Sequence, residues 1–273
     1  MNYLTMRDGA RLFYKDKGHG PVIIFTHDWP LHSDEWDPQV FALARAGYRV
    51  ISYDRRGYGR SEVAAEGSSI DTYADDLAQI LQRLNLSDVV LVGQGAGGCE
   101  IARFVRRHGT TNVSRIVLVS AALPFLVKTS TNPGGFDAAH FDTMRHMVAT
   151  RRAEYMWELA MSCFGGQKSI SSPSPGLAAF YCTTALSNPI ERIHDDISVF
   201  FETDFTSDLM TFDVPTLFVH GTDDSVIPSR TSTLVAAKLV RNSIKKIYPK
   251  AGHALSIFIA DQITADIFSF LAD

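Results

Sequence analysis

Runs of consecutive aliphatic and β-branched residues recur along this chain. They are Val22-Ile23-Ile24-Phe25-Thr26, Arg49-Val50-Ile51-Ser52-Tyr53, Val89–Val92, Ile116–Val119, Thr216–Val219 and Ile244–Tyr248. They do not alternate with polar positions, which predicts strands buried on both faces, as in a parallel sheet covered by helices. Two short strands near Asn2–Thr5 and Arg11–Lys15 flank Asp8-Gly9 and predict an opening hairpin. Helical periodicity lies between the runs, over Asp34–Ala46, Ile70–Leu84, Ala96–His108, Ser229–Val240 and Ala260–Leu271. Strand and helix alternate, so the fold class is α/β, with an open, mostly parallel, eight-stranded sheet and helices on both faces. Ligands of such sheets bind beyond the carboxyl ends of the strands.

One stretch breaks the rhythm. Residues 123–209 show no strong strand, many aromatic residues and loop punctuation such as Thr131-Asn132-Pro133-Gly134-Gly135 and Ser171-Ser172-Pro173-Ser174-Pro175-Gly176. This predicts a helical cap inserted between the sixth and seventh strands, with the core formed by residues 1–122 and 210–273. Most of its aromatics are expected to pack the cap onto the core. A few, with Phe125, Phe141, Trp157 and Phe200 as candidates, are expected to line an apolar substrate pocket.

Chemistry concentrates at strand ends. Val89-Val90-Leu91-Val92-Gly93-Gln94-Gly95-Ala96-Gly97-Gly98 has the layout of a nucleophile elbow, in which G-x-S-x-G places a serine on a tight strand-to-helix turn. The central position here is Gly95, which has no attacking atom. After the strand ending at Val219 comes His220-Gly221-Thr222-Asp223-Asp224, and after the last strand comes Ala251-Gly252-His253-Ala254. Elbow, then acid, then histidine is the chain order of α/β-hydrolase triads, with Asp224 orienting His253. Each segment has a plainer reading as well, a turn with a capping Asp and an ordinary loop histidine.

The loop Thr26-His27-Asp28-Trp29-Pro30 completes the set. The backbone N–H groups of Trp29 and Ala96 are the candidate oxyanion hole. Asp28 stands beside it as a possible modulator. An inward carboxylate would oppose the negative charge that develops in an oxyanion hole. Asp28 is therefore expected to point outward and to cap the loop or pair with Arg56 or another cation. Tyr53-Asp54-Arg55-Arg56-Gly57-Tyr58-Gly59-Arg60-Ser61 reads as a scaffold loop held by local ion pairs. Cys99, one helical turn past the elbow, reads as a buried thiol.

Composition narrows the classes. The chain has 273 residues, is 45% hydrophobic and 21% charged, and carries a formal charge of -4, which fits a globular domain and argues against nucleic-acid binding. Three widely spaced cysteines point to reduced thiols in a cytoplasmic compartment. No run is long enough for a signal peptide or membrane span.

The combination of motifs resembles the cofactor-free haloperoxidase, arylesterase and perhydrolase group of α/β-hydrolases. The likeness covers essentially the whole chain. It rests on Arg7–Asp16, His27-Asp28-Trp29-Pro30, Tyr53–Ser61, Tyr73-Ala74-Asp75-Asp76-Leu77, the elbow, Ala102-Arg103-Phe104, Phe201-Glu202-Thr203-Asp204-Phe205, Val214-Pro215-Thr216-Leu217 and the acid and histidine loops. The resemblance implies a triad of residue 95, Asp224 and His253, small ester or acid substrates, no metal or organic cofactor, and a trimer or larger homo-oligomer. The chain departs from the group at two places, Gly95 for serine and Asp28 for glycine. It is expected to hydrolyse esters weakly or not at all, and Gly95→Ser is expected to restore hydrolysis. The alternatives are general-base chemistry by the His253–Asp224 dyad, or ligand binding without turnover.

Overall fold

The computed structural model describes residues 2–62, 69–164 and 174–272; the punctuation at 171–173 lies outside them. Its strands are β1 (Asn2–Thr5), β2 (Arg11–Gly18), β3 (Val22–Thr26), β4 (Arg49–Tyr53), β5 (Val89–Gln94), β6 (Val113–Val119), β7 (Thr216–Gly221) and β8 (Ser243–Tyr248). They form one eight-stranded sheet in the order β1-β2-β4-β3-β5-β6-β7-β8. Only β2 runs against its neighbours; β3 to β8 are parallel.

The unbroken apolar runs are explained by helices on both faces. Ile24, Ile51, Leu91, Leu118 and Phe218 point into one core cluster. Their chain neighbours Ile23, Phe25, Val50, Val90, Val92, Val117, Val119 and Leu217 point into the other. With both faces covered, the central strands leave few positions open to water. β8, at the sheet edge, departs from the expectation of a fully buried strand, with Ile244, Lys245 and Lys246 exposed.

Around the sheet run α1 (Asp37–Arg45), α2 (Ile70–Arg83), α3 (Ala96–His108), α4 (Ala138–Thr150), α5 (Arg152–Cys163), α6 (Pro175–Leu186), α7 (Ile190–Phe201), α8 (Thr206–Leu209), α9 (Thr233–Leu239), α10 (Leu255–Phe258) and α11 (Ala260–Ala272). Five of them, α4 to α8, lie between β6 and β7. None is long and apolar enough to cross a membrane among the described residues.

Two predicted helices differ in extent. A short 3-10 turn, Ser33–Trp36, precedes α1, which starts with a proline in its first turn. Proline has no N–H to donate and fits a first helical turn, so the regular helix begins there. Helix α9 starts at Thr233 instead of Ser229. The hydroxyls of Thr231 and Ser232 donate to the Pro228 carbonyl at 3.2 and 2.9 Å and hold this stretch as a turn.

The Tyr53–Ser61 loop is scaffold, but its pairing is less local than expected. Asp54 pairs with Arg60 at 2.7 Å, while Arg55 reaches Glu100 on α3 at 2.8 Å and Arg56 reaches Asp76 on α2 at 2.5 Å. The Arg55–Glu100 pair is fully buried, and Tyr53 also bonds Glu100. Removing one partner of such a pair strands the other charge away from water. Glu100→Ala is expected to cost about 3 kcal/mol in a denaturant titration. A loss no larger than that of an exposed pair would contradict this account of the loop.

Candidate active site

Four strands end at the site. Asp28 and Trp29 follow β3, Gly95 follows β5, Asp224 lies just past β7, and His253 lies past β8. The topology alone brings these four loops to the carboxyl edge of the sheet.

The elbow is built as the sequence suggests. Gly95 sits between β5 and α3 with φ 50° and ψ -113°, a conformation that costs residues with a Cβ more than glycine. Its N–H donates to the Val119 carbonyl at 3.0 Å. Close packing of α3 against β3 depends on Gly97, where a Cβ would lie 2.4 Å from the Thr26 carbonyl oxygen.

Asp28 corrects the expectation of an outward side chain. Its carboxylate points into the site, and Arg56 is engaged elsewhere, with Asp76 and Asp8. Asp28 Oδ1 accepts from the Trp29 N–H at 2.7 Å and from the Ala96 N–H at 2.8 Å. These are the two donors that the sequence marks as the oxyanion hole. Asp28 Oδ2 lies 2.9 Å from His253 Nε2. A Cβ at position 95 would fall 1.8 Å from Oδ1 and 2.3 Å from Cγ of Asp28. The carboxylate therefore fills both the space of a nucleophile's side chain and the anion site beside it. The repulsion argued from sequence fails because it supposed a second anion in the hole; the carboxylate is itself the anion that the two N–H groups hold.

His253 stands between two acids. Its Nδ1 is 2.8 Å from Asp224 Oδ2. Asp224 Oδ1 accepts from the N–H groups of Val226 and Ile227 at 2.9 and 2.7 Å, and His220 Nε2 lies 2.9 Å from Oδ2. Burial by itself would push the His253 pKa down. The charges of Asp224 and Asp28, with a hydrogen bond to each, override it and raise the value well above the ordinary one. Burial acts the other way on Asp224, but the His253 charge and the bonds from both histidines hold its carboxyl well below the usual range.

The consequence for pH has a definite sign. A histidine whose folded pKa is raised stabilises the fold fully below its unfolded value of about 6.5 and loses that contribution as pH climbs through the folded value. Asp224, with a lowered value, contributes above its unfolded pKa of about 3.9 and loses it as pH falls. Asp28→Asn removes one of the two charges that raise His253. It is expected to move the alkaline loss of melting temperature to lower pH and leave the acid limb in place. An unchanged alkaline limb would contradict the Asp28–His253 pairing.

Two further residues set the position of Asp28. Its N–H donates to Glu35 Oε1 at 2.7 Å. Burial and the nearby Asp28 charge raise the Glu35 carboxyl well above its usual range, which favours a neutral acid behind the loop. The His27 ring bonds the Asp28 carbonyl at 2.8 Å through Nδ1 and accepts the Arg55 N–H at 2.9 Å through Nε2, fixing its tautomer. Burial, then the Arg55 charge, keeps it neutral. Nothing in the sequence singled out Glu35, which lies seven residues beyond Asp28 and reaches it only through the 3-10 turn.

A cavity of about 210 Å³ opens onto Asp28, Trp29 and His253. Of the four aromatics expected to line it, only Phe141 does. Trp157 lies on the solvent side of α5 and is 50% exposed, while Tyr155 and Leu159 face the cavity. Phe200 stacks on Tyr73 at 5.5 Å, beneath the site, and its neighbour Phe201 meets both the cavity and the Trp29 ring. Phe125 does not line the space, and the next residue, Leu126, does. Tyr155, Tyr181, Phe136 and Met144 are lining residues that composition could not separate from packing residues. Cys99 is buried against the Ala122 carbonyl at 3.3 Å, and burial pushes its thiol well up, as befits a packing residue.

Comparison with known proteins bears on the family and the fold. The α/β hydrolase fold family matches residues 21–152. A non-heme haloperoxidase of Rhodococcus erythropolis is 41% identical over 272 residues, covering 99% of both chains. The chain belongs to the α/β-hydrolase family. A bifunctional esterase/perhydrolase of Acinetobacter calcoaceticus is 35% identical, again over 99% of both chains. The crystal structure of a bromoperoxidase from Bacillus anthracis superimposes with a TM-score of 0.92 at 33% identity, covering 97% of this chain and 96% of that one. This α/β-hydrolase is therefore related to non-heme haloperoxidases and to esterase/perhydrolases, enzymes of the hydrolase kind.

Proposed function

We propose that this α/β-hydrolase is a cofactor-free enzyme for a small, largely apolar substrate, and that its reactive centre is the carboxylate–imidazolium–carboxylate chain Asp28–His253–Asp224. It does not work through an acyl-serine. The observation that carries this reading is the Asp28 carboxylate, held by the Trp29 and Ala96 N–H groups and by His253 in the space a side chain at 95 would occupy. Esterase and perhydrolase chemistry through an acyl-enzyme needs a nucleophile at that place and an open anion site beside it. Here the first is absent and the second is filled.

The same observation weighs against the His253–Asp224 dyad as a base acting alone. The ring nitrogen that would take a substrate proton, Nε2, faces Asp28 Oδ2. In this arrangement His253 holds a proton, and Asp28 is the electron-rich group that meets the cavity.

Serine hydrolases stripped of their triad keep a rate of roughly 10³–10⁴-fold over water through the oxyanion hole and substrate binding. With the hole filled, hydrolysis of p-nitrophenyl acetate is expected at no more than the lower end of that range. A fluorophosphonate probe is expected to leave every serine unlabelled. Stoichiometric labelling of any serine, with matching loss of esterase activity, would overturn the reading.

A further inference from the structure

Resting on the carboxylate-centred reading, we propose that Asp28 is a covalent nucleophile toward saturated carbon. Its substrate class is a small apolar epoxide, opened to a diol through an ester on the Asp28 carboxylate.

Three features support this. The first is fixation. Oδ1 is pinned by two backbone donors at 2.7 and 2.8 Å, which sets the plane of the carboxylate. Oδ2 bonds His253 with one lone pair and keeps another for attack. An oxygen held in this way loses little orientational freedom in reaching a bound electrophile.

The second is a supply of protons. Opening an epoxide makes an alkoxide, which needs a proton at once. The site has one on His253, flanked by two acids. It also has two phenols in the cavity wall. Tyr155 lines the cavity, and its hydroxyl makes no hydrogen bond among the described residues. The Tyr181 hydroxyl accepts from the Cys163 thiol at 3.4 Å, which leaves its own proton to donate. An alkyl halide would need none of these protons. An ester would need the anion site that Oδ1 already fills.

The third is size and lining. A cavity of about 210 Å³, walled by Leu126, Phe136, Phe141, Met144, Leu159 and Phe201, is below the usual range for drug-sized ligands and suits one small apolar group.

The steps balance. Asp28 Oδ2 forms a bond to an epoxide carbon as the ring C–O bond breaks. The ring oxygen takes the proton of His253, directly or through a tyrosine hydroxyl. His253 is then neutral, flanked only by the Asp224 charge. It takes a proton from water, whose oxygen attacks Asp28 Cγ, and the oxyanion formed there lies on the Trp29 and Ala96 N–H groups. The C–O bond to the substrate breaks, and the leaving alkoxide takes the proton back from His253. The new Asp28 carboxylic acid returns its proton to His253. The sum is epoxide plus water giving diol.

The test is a single turnover of styrene oxide in oxygen-18 water with the full-length protein in excess. Peptide mass spectrometry then reads the Asp28 peptide. The expected result is heavy oxygen in the Asp28 carboxylate and none in the diol of that first turnover. Tyr155→Phe is expected to lower diol formation about 10²-fold, as loss of a general acid does. Heavy oxygen in the diol with Asp28 unlabelled would mean direct attack by water; it would overturn the nucleophile while leaving the carboxylate-centred reading intact. No diol and no Asp28 adduct, with styrene oxide or with butylene oxide, would overturn it as well. The carboxylate-centred reading fails on a different result, fluorophosphonate labelling, which needs no epoxide.

Discussion

The double variant Asp28→Gly/Gly95→Ser is expected to hydrolyse p-nitrophenyl acetate at least about 10³-fold faster than the parent, while neither single variant gains much. In one serine protease the triad as a unit is worth roughly 10⁶ in kcat, so even an imperfect rebuild leaves a large margin. The asymmetry between single and double variants follows from space. A Cβ at position 95 meets Asp28 Oδ1 at 1.8 Å, so serine alone cannot occupy the elbow without displacing the carboxylate. Glycine at 28 alone frees the Trp29 and Ala96 N–H groups but supplies no nucleophile. Together the changes leave serine beside His253 and an open anion site. Two residues that contend for one volume should show strong positive coupling in a double-mutant cycle. The measurement is initial-rate hydrolysis by all four proteins. Full activity from Gly95→Ser by itself would show that the two residues do not share that space. The structure thus revises the expectation from sequence that serine alone would suffice.

Asp28→Asn is expected to reduce epoxide hydration by about 10⁴-fold or more, in line with the loss of a single member of a catalytic triad. The amide keeps an oxygen to accept the Trp29 and Ala96 N–H groups, so the loop should hold its conformation. What it loses is the charge and the nucleophilic oxygen. His253 then pairs only with Asp224, and its pKa falls toward the ordinary value, which also removes the proton supply. Circular dichroism and thermal melting separate this from unfolding. Retention of substantial turnover by a folded Asp28→Asn protein would remove Asp28 from the reaction.

The sheet was legible because its signal is local and strong. Six runs rich in aliphatic and β-branched residues, only the last of them broken by a charged pair, Lys245-Lys246, locate the parallel strands within a few residues. The elbow, the acid loop and the histidine loop follow each from a strand end. The side-chain direction of Asp28 was not legible. It depends on whether two amides from separate loops, those of Trp29 and Ala96, have a free anion site, and on whether position 95 leaves room. Gly95 and Asp28 were each visible as departures, yet their relation is a contact that no local pattern encodes. Phe200 and Trp157 failed for another reason. On helices crowded with apolar residues, aromatic composition does not fix the phase, and a shift of one or two positions moves a ring from cavity to core or solvent. Glu35 carries no signal at all, because a carboxyl under a loop looks like any acid in a first helical turn.

The central claim is that the Asp28 carboxylate occupies the site of both the nucleophile and the oxyanion. A high-resolution crystal structure of the protein tests it most directly. The account predicts one Asp28 oxygen within hydrogen-bond distance of the Trp29 and Ala96 nitrogens and the other bonded to His253 Nε2. An Asp28 side chain turned away from the elbow, with both amides open to the cavity, would contradict it.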